Sequence, residues 1–140
     1  MPRQRGNQEK LTELTEIEEK QIVFSFVLLD VDGDRDFNPG LCNESNILPR
    51  LLSNLRDISK LTFRKLRFEQ KDRFDFHPIK WADTSKSGFR LDEQYLAYTP
   101  YQLQISGKGR FHGFFYDNHV FFVVWCDPLH KLYPFQNRGK

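Results

Sequence analysis

The run GRFHGFFYDNHVFFVVWCDPLHKLYP, residues 109–134, constrains the fold more than any other part of this chain. Two strongly β-prone segments flank Asp117-Asn118, a dipeptide that tolerates the left-handed backbone of a tight hairpin loop. A two-residue loop sets Tyr116 opposite His119, and the pairing then runs back through 114 with 121, 112 with 123 and 110 with 125. Side chains alternate faces with a period of two. One face of the hairpin therefore holds Phe111, Gly113, Phe115, Val120, Phe122, Val124 and Cys126. Nothing on it is polar, so it is the face expected beneath a helical layer. The other face holds Arg110, His112, Phe114, Tyr116, His119, Phe121, Val123 and Trp125, and carries the polar side chains of both strands. A loop of three residues instead of two would exchange the faces on one strand.

An aromatic face that also bears arginine and histidine admits two readings. Open to solvent, it is an apolar patch of the kind that marks a binding surface, and rings beside a guanidinium suit stacked bases and phosphate. Alternatively, residues 71–100 fold over it as a second small core and leave the histidines merely hydrogen-bonded. That stretch alternates at first and then breaks at Pro78 and Gly88, so it reads as an irregular excursion.

Upstream, QIVFSFVLLD (21–30) is β-branched, aromatic and nearly continuous, which predicts a central strand covered on at least one face. A helix follows over about 45–58, with Leu48, Leu51, Leu52, Leu55 and Ile58 at 3.6-residue spacing and Pro49 tolerable in its first turn. A shorter helix runs from Thr62 to about Gln70, with Phe63 and Leu66 inward. Strands at about 101–106, 110–116 and 119–126 close the domain. The class is therefore α+β: an N-terminal strand, two helices, then a three-strand antiparallel meander, with the helices packed on one face of the sheet. Residues 1–20 read as a charged tail, possible as a short helix through Leu11, Leu14 and Ile17. Residues 21–135 form a single domain, and 136–140 are a second tail. A chain of 140 residues with 14 phenylalanines can bury an aromatic core without disulfides.

The net charge of +2 decides nothing, but its distribution is uneven. Residues 56–73 carry seven basic side chains against three acidic, and residues 101–140 carry five against two. Two positive segments brought together would make a patch for an anionic partner. Lys65, Arg67, Lys71, Arg73 and Lys131, with Trp125 as a stacking ring, are the RNA-binding candidates. Asp127-Pro128 stops the last strand, and His130, Lys131 and Tyr133 follow at its carboxyl end. Arg110 and Trp125 are expected neighbours there, which brings Arg110 towards His130. Arginine, His112, His130 and Tyr133 suffice for RNA cleavage without metal or cofactor. One group takes the ribose 2′-OH proton, a cation stabilises the charged phosphorane, and an acid protonates the leaving oxygen.

The element order over roughly residues 21–133, with those residues at the end of the last strands, resembles the RelE/ParE-type toxins. The resemblance implies a bacterial toxin–antitoxin or defence protein, in its RNase members a ribosome-dependent endoribonuclease held by a cognate antitoxin. It places Arg110, His130, Lys131 and Tyr133 in the site and Lys65, Arg67 and Lys71 beside it. Segment 71–100 is longer than the usual connection in that family, and Trp125-Cys126-Asp127-Pro128 is not part of its pattern. The C-terminal run, with FHPIKW upstream, is also similar to a group of bacterial proteins of no assigned activity.

Other readings carry less. FVLLDVDGD resembles the first motif of haloacid-dehalogenase-type phosphatases, with Asp30 as nucleophile and Asp32 as acid/base, but Asp34 stands where threonine is usual. The later antiparallel strands also do not suit that parallel fold. Counted as a calcium loop from Asp30, glycine falls at the fourth position and Leu41 takes the place of the bidentate glutamate. Cys42 and Cys126 lie in dissimilar contexts without a C-x-x-C, and both are expected as packing thiols in a reducing compartment. No secretory segment or membrane-length apolar run is visible, so a cytoplasmic setting without membrane contact is expected. A non-catalytic module docking protein or RNA is the competing function.

Overall fold

Helix spacing is realised in the computed structural model, which describes residues 20–31, 37, 39 and 47–133. Helix α1 spans Leu48–Ser59 with Pro49 in its first turn, where a missing N–H costs no intrahelical bond. It buries Leu51 and Ile58, while Leu48 and Leu52 stay exposed. Helix α2, Phe63–Phe68, begins at Thr62, whose hydroxyl accepts the Lys65 N–H at 3.2 Å as an N-cap, and it buries Leu66. The expected tails, Cys42, Asp32 and Asp34 lie outside the described residues.

The sheet has five strands: β1 (Val23–Ser25), β2 (His77–Pro78), β3 (Pro100–Ser106), β4 (Gly109–Tyr116) and β5 (Val120–Asp127). Their order is β1-β5-β4-β3-β2, with β1 parallel to β5 and the remaining neighbours antiparallel. The α+β class and the meander stand as read from the sequence. The first strand differs. It is three residues long at the edge of the described sheet, because a turn closed by Leu29 N–H on Phe26 O breaks the apolar run. Val23 and Val27 are exposed as a result, and Asp30 N–H rejoins β5 on the carbonyl of Val124.

Hairpin β4–β5 also differs, in a way that largely cancels. Asp117 and Asn118 take the left-handed conformation as their side chains allow, but His119 joins the loop and Tyr116 pairs with Val120. The faces of the first half of β5 are thereby exchanged: Phe121 and Val123 lie beneath the helices and Phe122 lies opposite. A bulge then leaves Val124 without a partner, since Gly113 pairs with Val123 but His112 with Trp125. Parity is restored, and Trp125 and Cys126 return to the faces expected of them. Gly113 is required at this point, because a Cβ there would run into the carbonyl of Phe122.

Two cores result. Beneath the helices, Leu51, Ile58, Leu66, Phe76, Phe111 and Phe121 pack with neighbouring rings, among them Tyr101 stacked on Phe76 at 4.7 Å. On the opposite face, Ile79, Phe89, Phe114, Val124, Trp125 and Leu132 form a second core with Phe37 and Tyr133. It is roofed by residues 79–98, including 3-10 turns at Trp81–Asp83 and Glu93–Ala97, and by the tail after β5. Ser85 ties these two pieces together, its N–H on Leu132 O and its hydroxyl on Lys131 O. Of the two readings of the outer face, the covered one holds.

Candidate acid–base site

Strand pairing builds a polar row into that second face. His77 on β2 lies opposite Gln102 on β3, Gln102 opposite His112 on β4, and His112 opposite Trp125 on β5. Period-two alternation puts Arg110 on the same face as His112. A buried polar row is tolerable only when its members satisfy one another, and these do so in one direction. Arg110 Nε donates to Asp75 Oδ2 at 3.0 Å, and its Nη1 donates to the carbonyls of Gly107 and Gly109. The amide of Gln102 donates to the same Asp75 oxygen at 2.9 Å and lies 3.0 Å from His77 Nε2, while its Oε1 lies 3.1 Å from His112 Nε2.

Donor and acceptor inventory then fixes both imidazoles. An amide oxygen only accepts, so His112 carries its proton on Nε2. An amide nitrogen only donates, so His77 Nε2 is the acceptor and its proton is on Nδ1, facing the carbonyl of Pro78 at 2.8 Å. His112 Nδ1 is left as a buried lone pair with no hydrogen-bond partner. Burial pushes the His112 pKa well below 6.5, and the nearby His130, Arg110 and His77 push it the same way. The carboxylate of Asp127, 3.8 Å from His112 Nε2, would favour the charged ring. It is beyond hydrogen-bond reach and is held by the N–H groups of Lys131 and Leu132 at 2.7 and 2.9 Å, so burial prevails.

The turn that encloses Asp127 carries His130 with a left-handed backbone and returns Tyr133 to the sheet. Tyr133 accepts the Lys80 N–H at 3.1 Å and sets its ring edgewise to His77 at 5.6 Å. Burial raises its pKa, so it stays a neutral phenol.

Arg110, His112, His130 and Tyr133 are thus brought to one neighbourhood, but not as an open site. His112 is fully buried, Tyr133 is buried, and Arg110 keeps 10% of its side chain exposed. The row meets solvent at Asp75 and His77, 31% and 30% exposed and 3.7 Å apart. Sequence reasoning missed both, together with Gln102 and Asp127 as partners. The D-x-H spacing of Asp75 and His77 was the available signal, although Asp75 reaches the row from a left-handed turn before β2 and not by strand alternation. Lys65, Lys71, Arg73 and Lys131 are exposed and Arg67 is half-buried. Arg73 pairs with Asp57 at 3.2 Å and covers the Phe74 ring. Loop 71–75 carries the chain from α2 to the β2 edge, so this basic layer and the Asp75–His77 opening share one border. Trp125 is 2% exposed, wrapped by Phe37, Phe89 and Trp81, and offers no face to a base.

Among the described residues, no group of three or more His, Cys, Asp or Glu is placed to hold a metal, and no helix is long and apolar enough to cross a membrane. No family model, curated protein or solved structure matches this chain.

Proposed function

We propose that the protein acts on RNA as a metal-independent endoribonuclease of the toxin type, with its working end at His77 rather than at the buried His112. The observation that carries this reading is the one-directional network: an imidazole at the solvent border with its Nδ1–H on the Pro78 carbonyl and its Nε2 accepting from Gln102, beside a carboxylate that a guanidinium holds. His77 Nε2 takes the ribose 2′-OH proton as the 2′ oxygen attacks phosphorus, the Gln102 N–H that it otherwise accepts being released while the amide stays on Asp75 Oδ2. The P–O5′ bond breaks, leaving a 2′,3′-cyclic phosphate, and O5′ takes a proton from solvent, because His130 has its Nε2 buried in the turn after β5 beside His112. Arg110 supplies positive potential. His112 and Tyr133 position the amide and ring around His77. Lys65, Arg67, Lys71 and Arg73 track the backbone from the helical side, and Lys131 does so from beyond β5. A ribosome-bound messenger, a cytoplasmic setting and a cognate antitoxin belong to the same proposal.

One observation favours the non-catalytic alternative: Arg110 already donates to Asp75 and two carbonyls. Incubating the protein with end-labelled single-stranded RNA in EDTA separates the two. Cleavage to cyclic-phosphate ends, abolished by His77→Asn, is the expected result. RNA bound but intact leaves only the binding module, and neither binding nor cleavage removes both.

A further inference from the structure

Residues 81–100 do more than roof the second core. Between them lies an open groove of ≈ 340 Å³, lined by Trp81, Phe89, Tyr95, Tyr98 and Pro100, with Arg90 at its rim. Ligand pockets run from about 300 to 1,000 Å³, so this one accommodates a single small planar group. Its walls are suited to such a group. Tyr98 stacks on Phe114 at 5.1 Å with an interplanar angle of 14°, has Tyr116 tilted against it at 5.9 Å, and still keeps 37% of its surface exposed for a planar ligand. Trp81 is fixed edgewise by Phe89 and Trp125. Arg90 is 64% exposed and reaches Asp30 at 3.5 Å, which holds a guanidinium at the mouth.

Position decides what the groove is for. Pro100 and Gln102 share one face of β3, two residues apart, or about 7 Å at 3.3–3.4 Å per residue. Gln102 is the amide that grips His77. Trp81 follows His77 by four residues along the chain leaving β2, where Ile79 N–H still bonds to Pro100 O. A planar group stacked in the groove therefore lies within one nucleotide's reach of the His77–Asp75 opening.

We propose that this groove is a nucleobase subsite. A base of single-stranded RNA stacks on Tyr98 beside Trp81, Arg90 meets the adjoining phosphate, and the neighbouring phosphodiester is delivered to His77. The inference rests on the RNA reading above and adds the contact that sets where along the strand the protein engages. Of the two tryptophans Trp81 is half-buried at the groove and Trp125 is sealed at 2% exposure, so quenching by a stacked base reports on Trp81.

The test titrates a uridine decamer with 2′-O-methyl riboses, which lack the attacking hydroxyl, the same decamer with one abasic position at a time, and a proline-rich peptide as the alternative occupant. Trp81 emission is followed in EDTA with the wild type, Tyr98→Ala, Tyr98→Phe and Lys65→Glu/Lys71→Glu. Base stacking predicts that Tyr98→Ala weakens RNA binding by about 5- to 150-fold, that Tyr98→Phe restores it, and that the charge reversals weaken binding while leaving the quench at saturation. RNA binding that ignores Tyr98→Ala and leaves Trp81 emission unchanged overturns the subsite while the RNA reading stands. Quenching by the peptide and not by RNA overturns the nucleobase assignment in favour of a peptide groove. No RNA binding by the wild type overturns both.

Discussion

Gln102 connects the two histidines, and replacing it by leucine gives the sharpest prediction. Its amide bonds to Asp75 and His77 are cheap to lose, because both partners are about 30% exposed and water can replace the donor. Its bond from His112 is different. Both residues are completely buried, and the nearest other acceptor, Asp127 Oδ2, is 3.8 Å away. Gln102→Leu therefore leaves a buried N–H unsatisfied, which costs about 1–3 kcal/mol. His112→Leu leaves the Gln102 carbonyl in the same position at a similar cost. Once either partner is gone, removing the other relieves the orphan, so the double variant is no less stable than the worse single one. Urea unfolding of the four proteins at pH 7.5 measures the cycle, with a coupling of about 1–3 kcal/mol expected between the two sites. Additive losses would show that the two side chains do not share a buried bond.

Three other perturbations probe separate parts of the molecule. Gly113→Ala places a methyl group against the Phe122 carbonyl at the bulge and should destabilise by about 3 kcal/mol or more, read as a fall in the urea midpoint. His112 is neutral when folded, and the unfolded chain protonates it below about 6.5, so its contribution is intact above pH 7 and falls as pH drops through 6.5. Comparing wild type with His112→Asn, the extra loss at pH 5.5 relative to pH 7.5 should approach about 1.4 kcal/mol, and equal slopes would contradict a neutral buried ring. Lys65→Glu/Lys71→Glu should reduce the salt dependence of single-strand binding by about 0.7 in log–log slope for each phosphate no longer neutralised, measured by fluorescence anisotropy.

Which parts of this molecule the sequence discloses follows from what leaves a periodic trace. Helices α1 and α2 are marked by leucine spacing, Pro49 and the Thr62 cap, and the meander by β-prone runs between turn residues. On β4, alternation between apolar and polar residues assigns both faces correctly. On β5 every position from Val120 to Cys126 is apolar, so neither the extra loop residue nor the bulge at Val124 changes the pattern, and only the ladder reveals them. The exposure of the outer face is illegible for a related reason. Whether Arg110 meets a phosphate or Asp75 depends on where an irregular segment 35 residues upstream returns to the sheet. Asp75 and His77 show their i, i+2 spacing but not their partners across β3.

Long-range ¹⁵N–¹H spectra of the four histidines, recorded from pH 8 to pH 5.5, test the central claim that the polar row is sealed beneath a second core and meets solvent at Asp75 and His77. The structure predicts a proton on Nε2 of His112, whose burial holds its pKa well below 6.5, and a proton on Nδ1 of His77. A His112 that titrates near 6.5, or that carries its proton on Nδ1, would mean that water reaches the face and that the network does not exist as described.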